Sequence, residues 1–223
     1  MDDSSFTARR GKRDFLLAKA ERAIVKVLVD KIPQWIQTYH LTLLTLLWSF
    51  FVLVFSLLAR KSLQWLWLVS LMILFQYATD LFDGAVGRHR STGLIRWGYY
   101  MDHFLDYLFL CSLIVGYSFL LPDDQVLFLV FLVLAGALMM HSHLAFAAEG
   151  AFVIAHFRIG PSELRVCAIL TNTFVIFLGL SFLAKFLTVL LPVVLFFLVV
   201  IVYRAQRRMW SHDMADKARR KKG

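Results

Sequence analysis

The chain has 223 residues, 60% of them hydrophobic, and a mean hydropathy of +0.69. A water-soluble domain is nearer half apolar, so one soluble core cannot hide this much Phe, Leu and Val, and the bilayer is the natural solvent for the excess. The formal net charge of +9 would suit nucleic acid, but the basic residues flank apolar spans, where they fix topology and attract anionic headgroups; no nucleic-acid partner is expected.

Met1 to Lys31 is polar and charged and has no early apolar core, so no signal peptide is expected. Within it, Lys12 to Lys31 reads as an amphipathic helix. Phe15, Leu16, Ala20, Ala23, Ile24, Val27 and Leu28 recur at three- and four-residue spacing, and Lys19, Arg22 and Lys26 fall mostly between them. This helix is expected to lie on the cytoplasmic leaflet before Pro33, with docking to a partner as the alternative.

Six stretches then have the length to span. Leu41 to Ala59 and Leu63 to Thr79 carry no charge. Trp97 to Leu121 is apolar except for Asp102, His103 and Asp106. Val126 to Ala148 is uncharged, with His141 and His143 near its end, and Cys167 to Ala184 and Phe186 to Tyr203 are again uncharged. About 20 residues cross a typical hydrocarbon core, and backbone groups in lipid must pair within their own segment, so all six are read as helices. The expected fold is an all-α membrane protein of six transmembrane helices preceded by an amphipathic interfacial helix. Residues 1–37 form the N-terminal segment, 38–204 the six-helix domain and 205–223 a basic tail. Cys111 and Cys167 both fall in spans, which gives two packed thiols and no disulfide framework.

The basic residues set the orientation. Of 24 Lys and Arg, only Arg60, Lys61 and Lys185 fall on the side away from the termini. The positive-inside rule therefore places both termini in the cytoplasm.

Against so apolar a background the acids stand out. Asp80 and Asp83 close the second span, and Asp102 and Asp106 lie in the first turns of the third, all on the cytoplasmic side. A carboxylate within a span costs several kcal/mol unless it faces partners, metal or water. Each pair, at i,i+3 and i,i+4, shares a helix face with Cβ atoms about 5–6 Å apart. Two antiparallel helices can join these faces into one cluster of hard oxygen donors, a set that selects Mg²⁺, Mn²⁺ or Ca²⁺. Four negative charges suit two divalent cations, and two cations suit phosphoryl transfer. The competing reading is an Asp–Arg network, with Arg88, Arg90 and Arg96, that only ties helices together. Gly84 and Gly87 leave bare backbone for a ligand to approach, Arg88 offers a planar fork suited to phosphate, and Gly98, one turn before Asp102, would let the two helices pack closely.

Read together, these residues are Asp80-x2-Asp83-Gly84-x2-Gly87-Arg88-x9-Gly98-x3-Asp102-x3-Asp106. The pattern resembles the signature of the CDP-alcohol phosphotransferase family, D-x2-D-G-x2-A-R-x8/9-G-x3-D-x3-D, at every fixed position but Gly87, where the family usually has Ala. The resemblance implies an enzyme that moves a phospho-alcohol group from a CDP-linked donor to an acceptor hydroxyl and releases CMP. It implies two divalent cations, Mg²⁺ or Mn²⁺, on Asp80, Asp83, Asp102 and Asp106, with Asp106 also the general base. Asp80, Asp83, Gly84, Gly87 and Arg88 would line the CDP pocket. It also implies a homodimer. Two further regions are similar to the family more weakly. Trp35 to Thr42 is similar to the turn into the first span, often Trp-Ile-x-Pro-Asn-x-x-Thr, but has Thr38-Tyr39 in place of Pro-Asn, and His40 there reads as an interfacial residue. Glu149-Gly150 and Gly160 to Arg165 are similar to the segment that shapes the acceptor site. Arg165 is the candidate for an acceptor phosphate or carboxylate, and Glu163 either orients it or serves as a helix N-terminal acid after Pro161. His141 and His143 read as helix-end residues, since no third ligand has metal spacing.

Two rivals remain. A transporter would place its ionisable groups near the midplane on broken helices, whereas these acids cluster at one membrane face. A scaffold that kept a metal site would still carry every carboxylate. The donor reads as CDP-diacylglycerol rather than CDP-choline or CDP-ethanolamine. Only Arg158 and Arg165 lie between the fourth and fifth spans, too few cations to favour a sugar-phosphate acceptor.

Overall fold

The computed structural model describes residues 17–149 and 160–221. The start of the amphipathic segment (Lys12, Phe15, Leu16), Gly150 and Arg158 lie outside the described residues. The described residues form seven α-helices: α1 (Ala18–Leu28), α2 (Thr38–Ala59), α3 (Leu66–His89), α4 (Ile95–Ser118), α5 (Gln125–Glu149), α6 (Pro161–Leu178) and α7 (Leu180–Arg220). Single 3₁₀ turns lie at Val29–Lys31, Leu63–Trp65 and Pro122–Asp124, and there is no strand among the described residues.

Uncharged Leu, Phe and Val runs make five helical stretches long and apolar enough to cross a membrane: Thr38–Ala59, Leu63–His89, Pro122–Ala148, Pro161–Leu178 and Leu180–Arg220. The chain is thus all-helical and multi-pass. By that measure there are five spans rather than the six expected. α4 has the length, 24 residues, but Arg96, Asp102, His103 and Asp106 dilute its apolar character. Large side chains project outward all round the bundle, with Phe50 58%, Phe177 73% and Phe196 63% exposed. Such a surface is stable in lipid and not in water.

The last two spans divide earlier than expected. The sequence puts the break at Lys185, the lone charge, but the backbone turns at Gly179, where φ is +82°. A side chain at that φ is strained, so the glycine fixes the corner, and Lys185 lies exposed in the second turn of α7. α7 then continues unbroken past residue 205. Its 41 residues at ~1.5 Å each make a rod of roughly 60 Å, about twice the thickness of a hydrocarbon core, so its basic C-terminal portion extends beyond the apolar zone.

α2 is the organising helix. It packs along both α3 and α4, while α6 lies against α3 and α5 against α7. The sequence suggests that α3 and α4 pack directly on each other. Instead α2 carries most of the contact, and α3 and α4 meet chiefly through polar side chains at one end. α2 and α4 approach closely at Gly116: a Cβ there would lie 2.5 Å from Ser56 Oγ and 2.9 Å from its Cβ, so only glycine fits. Farther along the core, Asn172 of α6 donates to Ser70 Oγ of α3 at 2.9 Å and accepts from Tyr117 of α4 at 2.7 Å. These bonds satisfy a fully buried amide and lock three helices in register.

Candidate active site

The end of α3 and the start of α4 bring the acids together. One carboxylate oxygen from each of Asp80, Asp83 and Asp102 lies within 4.8 Å of the other two. Asp106, one turn farther along α4, joins them through Arg165 of α6. Arg165 Nη1 is 2.7 Å from Asp80 Oδ2, and Nη2 donates to Asp106 Oδ1 at 3.1 Å. This guanidinium is only 8% exposed and lies 5.7 Å above the ring of Tyr77. Arg165, which the network reading did not invoke, therefore enters the acidic cluster from α6.

Each acid has its own support. Thr42 Oγ1 donates to Asp83 Oδ2 at 3.0 Å, and Thr38 Oγ1 donates to the Asp83 carbonyl at 3.1 Å. Both threonines lie in the first turns of α2, so α2 grips α3 at the site. The grip is set from outside by Arg90, which donates to the carbonyls of Ile32 (2.9 Å), Pro33 (3.1 Å), Gln34 (3.3 Å) and Ile36 in the connector before α2. His40, read as interfacial, closes the start of α2 by accepting the Gln37 N–H on Nδ1 at 3.0 Å. Gln76, fully buried, donates from Nε2 to Asp106 Oδ1 at 2.8 Å.

The glycines play different parts from one another. At Gly84 a Cβ would lie 3.1 Å from Arg88 Nη1, so the bare position lets the Arg88 head fold back over its own helix. At Gly87 a Cβ would lie 2.8 Å from Thr38 Oγ1. The two departures from the family pattern therefore touch: the threonine that stands for proline fills the space that an alanine methyl would take. At Gly98 a Cβ would meet nothing within 4 Å. The expected close packing through Gly98 is thus absent, because α2 rather than α4 is the neighbour α3 packs against.

Glu163 is the N-terminal acid of α6. Its Oε2 accepts the Gly160 N–H at 2.9 Å and its Oε1 accepts the Leu17 N–H at 3.2 Å, which ties the start of α6 to the start of α1. From α1, Glu21 accepts a 2.8 Å hydrogen bond from the Tyr77 hydroxyl, so α1 rests on the side of the site where Arg165 enters. His103 and His143 have ring centroids 5.4 Å apart, and the Nδ1 atoms of both lie against carbonyls of their own helices, those of Tyr99 and Met139, at 2.8 and 2.7 Å.

Like charges this close repel strongly in a half-buried setting. Arg165 offsets part of that charge, and the rest calls for cations. Three converging carboxylates are hard donors of the kind that hold Mg²⁺, Mn²⁺ or Ca²⁺, so the residues present fit divalent metal.

The sequence model of the CDP-alcohol phosphatidyltransferase family matches residues 35–202, three quarters of the chain, and includes every residue of the acidic cluster. The chain belongs to the CDP-alcohol phosphatidyltransferase family. No curated protein and no solved structure matches it. Membership makes the chain a membrane-embedded transferase of phospholipid synthesis that moves a phospho-alcohol from a CDP-alcohol. Divalent-cation dependence is typical of CDP-alcohol phosphatidyltransferases, in keeping with the donor set at Asp80, Asp83 and Asp102.

Reading the sequence for signature residues missed Gln76, Thr42's bond to Asp83, and the Tyr77–Glu21 pair. A signal existed for the first: Gln76 is polar in an otherwise apolar run and stands one turn before Asp80 on the same face.

Proposed function

We propose that this chain transfers a phosphatidyl group from CDP-diacylglycerol to a small alcohol and releases CMP, with two Mg²⁺ or Mn²⁺ ions held by Asp80, Asp83 and Asp102 and with Asp106, the general base, beside the second ion. The observation that carries the reading is the convergence of three carboxylates within 4.8 Å, with the fourth linked to Asp80 through one arginine. Divalent cations in such a site supply charge neutralisation at the pyrophosphate and at the leaving phosphate.

The side chains do the rest. Gly84 and Gly87 make room on α3 for the Arg88 head and for Thr38 at the edge of the cytidine diphosphate site, and Arg88 offers its fork to a phosphate oxygen. Asp106 accepts the proton of the acceptor hydroxyl. The hydroxyl oxygen then forms its bond to the phosphorus that carries the diacylglycerol, and the bond from that phosphorus to CMP breaks, the electron pair leaving with CMP. The acceptor enters beside Arg165, which Glu163 orients indirectly by fixing the start of α6. α4 counts as a sixth span, since its acids face the cluster, and α1 is an interfacial helix whose Ile24 and Val27, 47% and 61% exposed, dip into lipid. The site and both termini face the cytoplasm, and the working unit is a homodimer.

Purified protein in detergent or liposomes tests this directly. CMP should appear from CDP-diacylglycerol only when an alcohol and Mg²⁺ or Mn²⁺ are present, and mass spectrometry of the lipid product names the acceptor. CMP release from CDP-choline or CDP-ethanolamine with diacylglycerol, and none from CDP-diacylglycerol, overturns the donor assignment. Ion flux without CMP release overturns the enzyme reading.

A further inference from the structure

Gln76 stands in the middle of an apolar stretch of α3 and is completely buried. Its amide nitrogen donates to Asp106 Oδ1 at 2.8 Å. An ionised carboxylate only accepts, so the amide cannot be turned the other way round. Its oxygen is then the end without a partner, and Gln76 Oε1 is the buried side-chain atom left unsatisfied among the described residues. A buried carbonyl without a hydrogen bond is destabilising, and an apolar side chain of the same shape avoids that cost. Stability therefore does not explain a glutamine here. Its one bond, to Asp106, does.

Arg165 Nη2 also donates to Oδ1 of Asp106, at 3.1 Å. Two donors from two helices, α3 and α6, converge on one oxygen, while Oδ2 takes no hydrogen bond among the described residues. A carboxylate held at one oxygen from both sides has its plane fixed, and its second oxygen has one direction to face.

We propose that Gln76 is a positioning residue for Asp106: with Arg165 it pins Oδ1, so that Oδ2 is the oxygen that takes the acceptor's proton. The proposal rests on Asp106 as the base. It extends that reading to a residue outside the signature and assigns separate work to the two oxygens.

The test compares Gln76→Met, Gln76→Asn and Asp106→Asn in full-length protein, by steady-state kinetics and by thermal unfolding in the same detergent. Met keeps the volume and removes both amide atoms; Asn keeps the polarity but is one methylene too short to reach Oδ1. In both Gln76 variants kcat should fall about 10- to 100-fold, the range seen when a supporting partner of a functional side chain is removed, with KM for the CDP-linked donor changed less than about threefold. The unfolding midpoint of Gln76→Met should equal or exceed that of the parent, because the unsatisfied oxygen is gone. Wild-type kcat in whichever Gln76 variant folds, beside an inactive Asp106→Asn, overturns the proposal and leaves the base intact. A kcat that falls only in step with the unfolding midpoint also overturns it, in favour of a structural role. Normal turnover in Asp106→Asn instead overturns the base itself and, with it, the division between its oxygens.

Discussion

Substitutions of single residues at this site should separate the proposed roles. Asp106→Asn keeps the shape and removes the proton acceptor. Its kcat should drop about 10²- to 10⁴-fold, the usual contribution of a general base, while CDP-alcohol binding measured by calorimetry stays near the parent value. Asp83→Asn should also weaken metal retention, since it removes the charge and one acceptor oxygen, while the Thr38 bond to the Asp83 carbonyl at 3.1 Å still holds the backbone in place. The acids were legible in the sequence because charge in an apolar run is costly and their i,i+3 and i,i+4 spacing puts each pair on one face. Gln76 was passed over because an uncharged amide barely disturbs an apolar run. Arg165 was recognised, but its partners Asp80 and Asp106 lie on other helices, and pairing across helices is not written in local spacing. Glu163 showed both possible roles in the sequence; its bonds to Gly160 and Leu17 favour the helix-end one.

Helices place these residues, and two glycines set how. Gly87→Ala would put a methyl 2.8 Å from Thr38 Oγ1, and Thr38 cannot swing aside without giving up its bond to Asp83. The substitution should cost about 1–3 kcal/mol as overpacking and lower activity, read by thermal unfolding and CMP release. Adding Thr38→Pro should restore much of both, because Thr38 is the first residue of α2, where proline fits without loss of a helical bond, and the clash disappears. With Thr38→Pro alone measured as well, damage in the double variant equal to the sum of the two singles would show that the positions are not coupled. Gly179→Ala should cost about 1–3 kcal/mol, by the same unfolding measurement, because φ +82° with ψ 177° is a backbone region essentially confined to glycine. Element types followed from hydropathy, and so did the limits of α2, α4 and α5 to within a few residues. The α6–α7 corner did not, because backbone conformation at one glycine outweighed the charge on Lys185. The central place of α2 was equally invisible, since its composition matches that of its neighbours.

At the scale of the whole molecule, an apolar helical bundle carries its acidic cluster and most of its basic residues toward one end. Cysteines placed at Ser62 and Ser211, in a background with Cys111 and Cys167 replaced by alanine, test the orientation. A membrane-impermeant maleimide should label Ser62→Cys from outside sealed cells and Ser211→Cys only after the membrane is opened; the reverse would invert the topology. The amphipathic character of α1 and the basic tail were legible from sequence. The contact of α1 with Tyr77 and Glu163 was not, because it joins segments distant in the chain. The central claim is that the acids of α3 and α4 gather divalent metal, and Mn²⁺ binding followed by electron paramagnetic resonance on the purified protein tests it most directly. The parent protein should take up Mn²⁺ saturably, Mg²⁺ should displace it, and Asp80→Asn, Asp83→Asn and Asp102→Asn should each weaken uptake at least about tenfold. Saturable uptake that survives all three substitutions, or none in a folded parent protein, would contradict it.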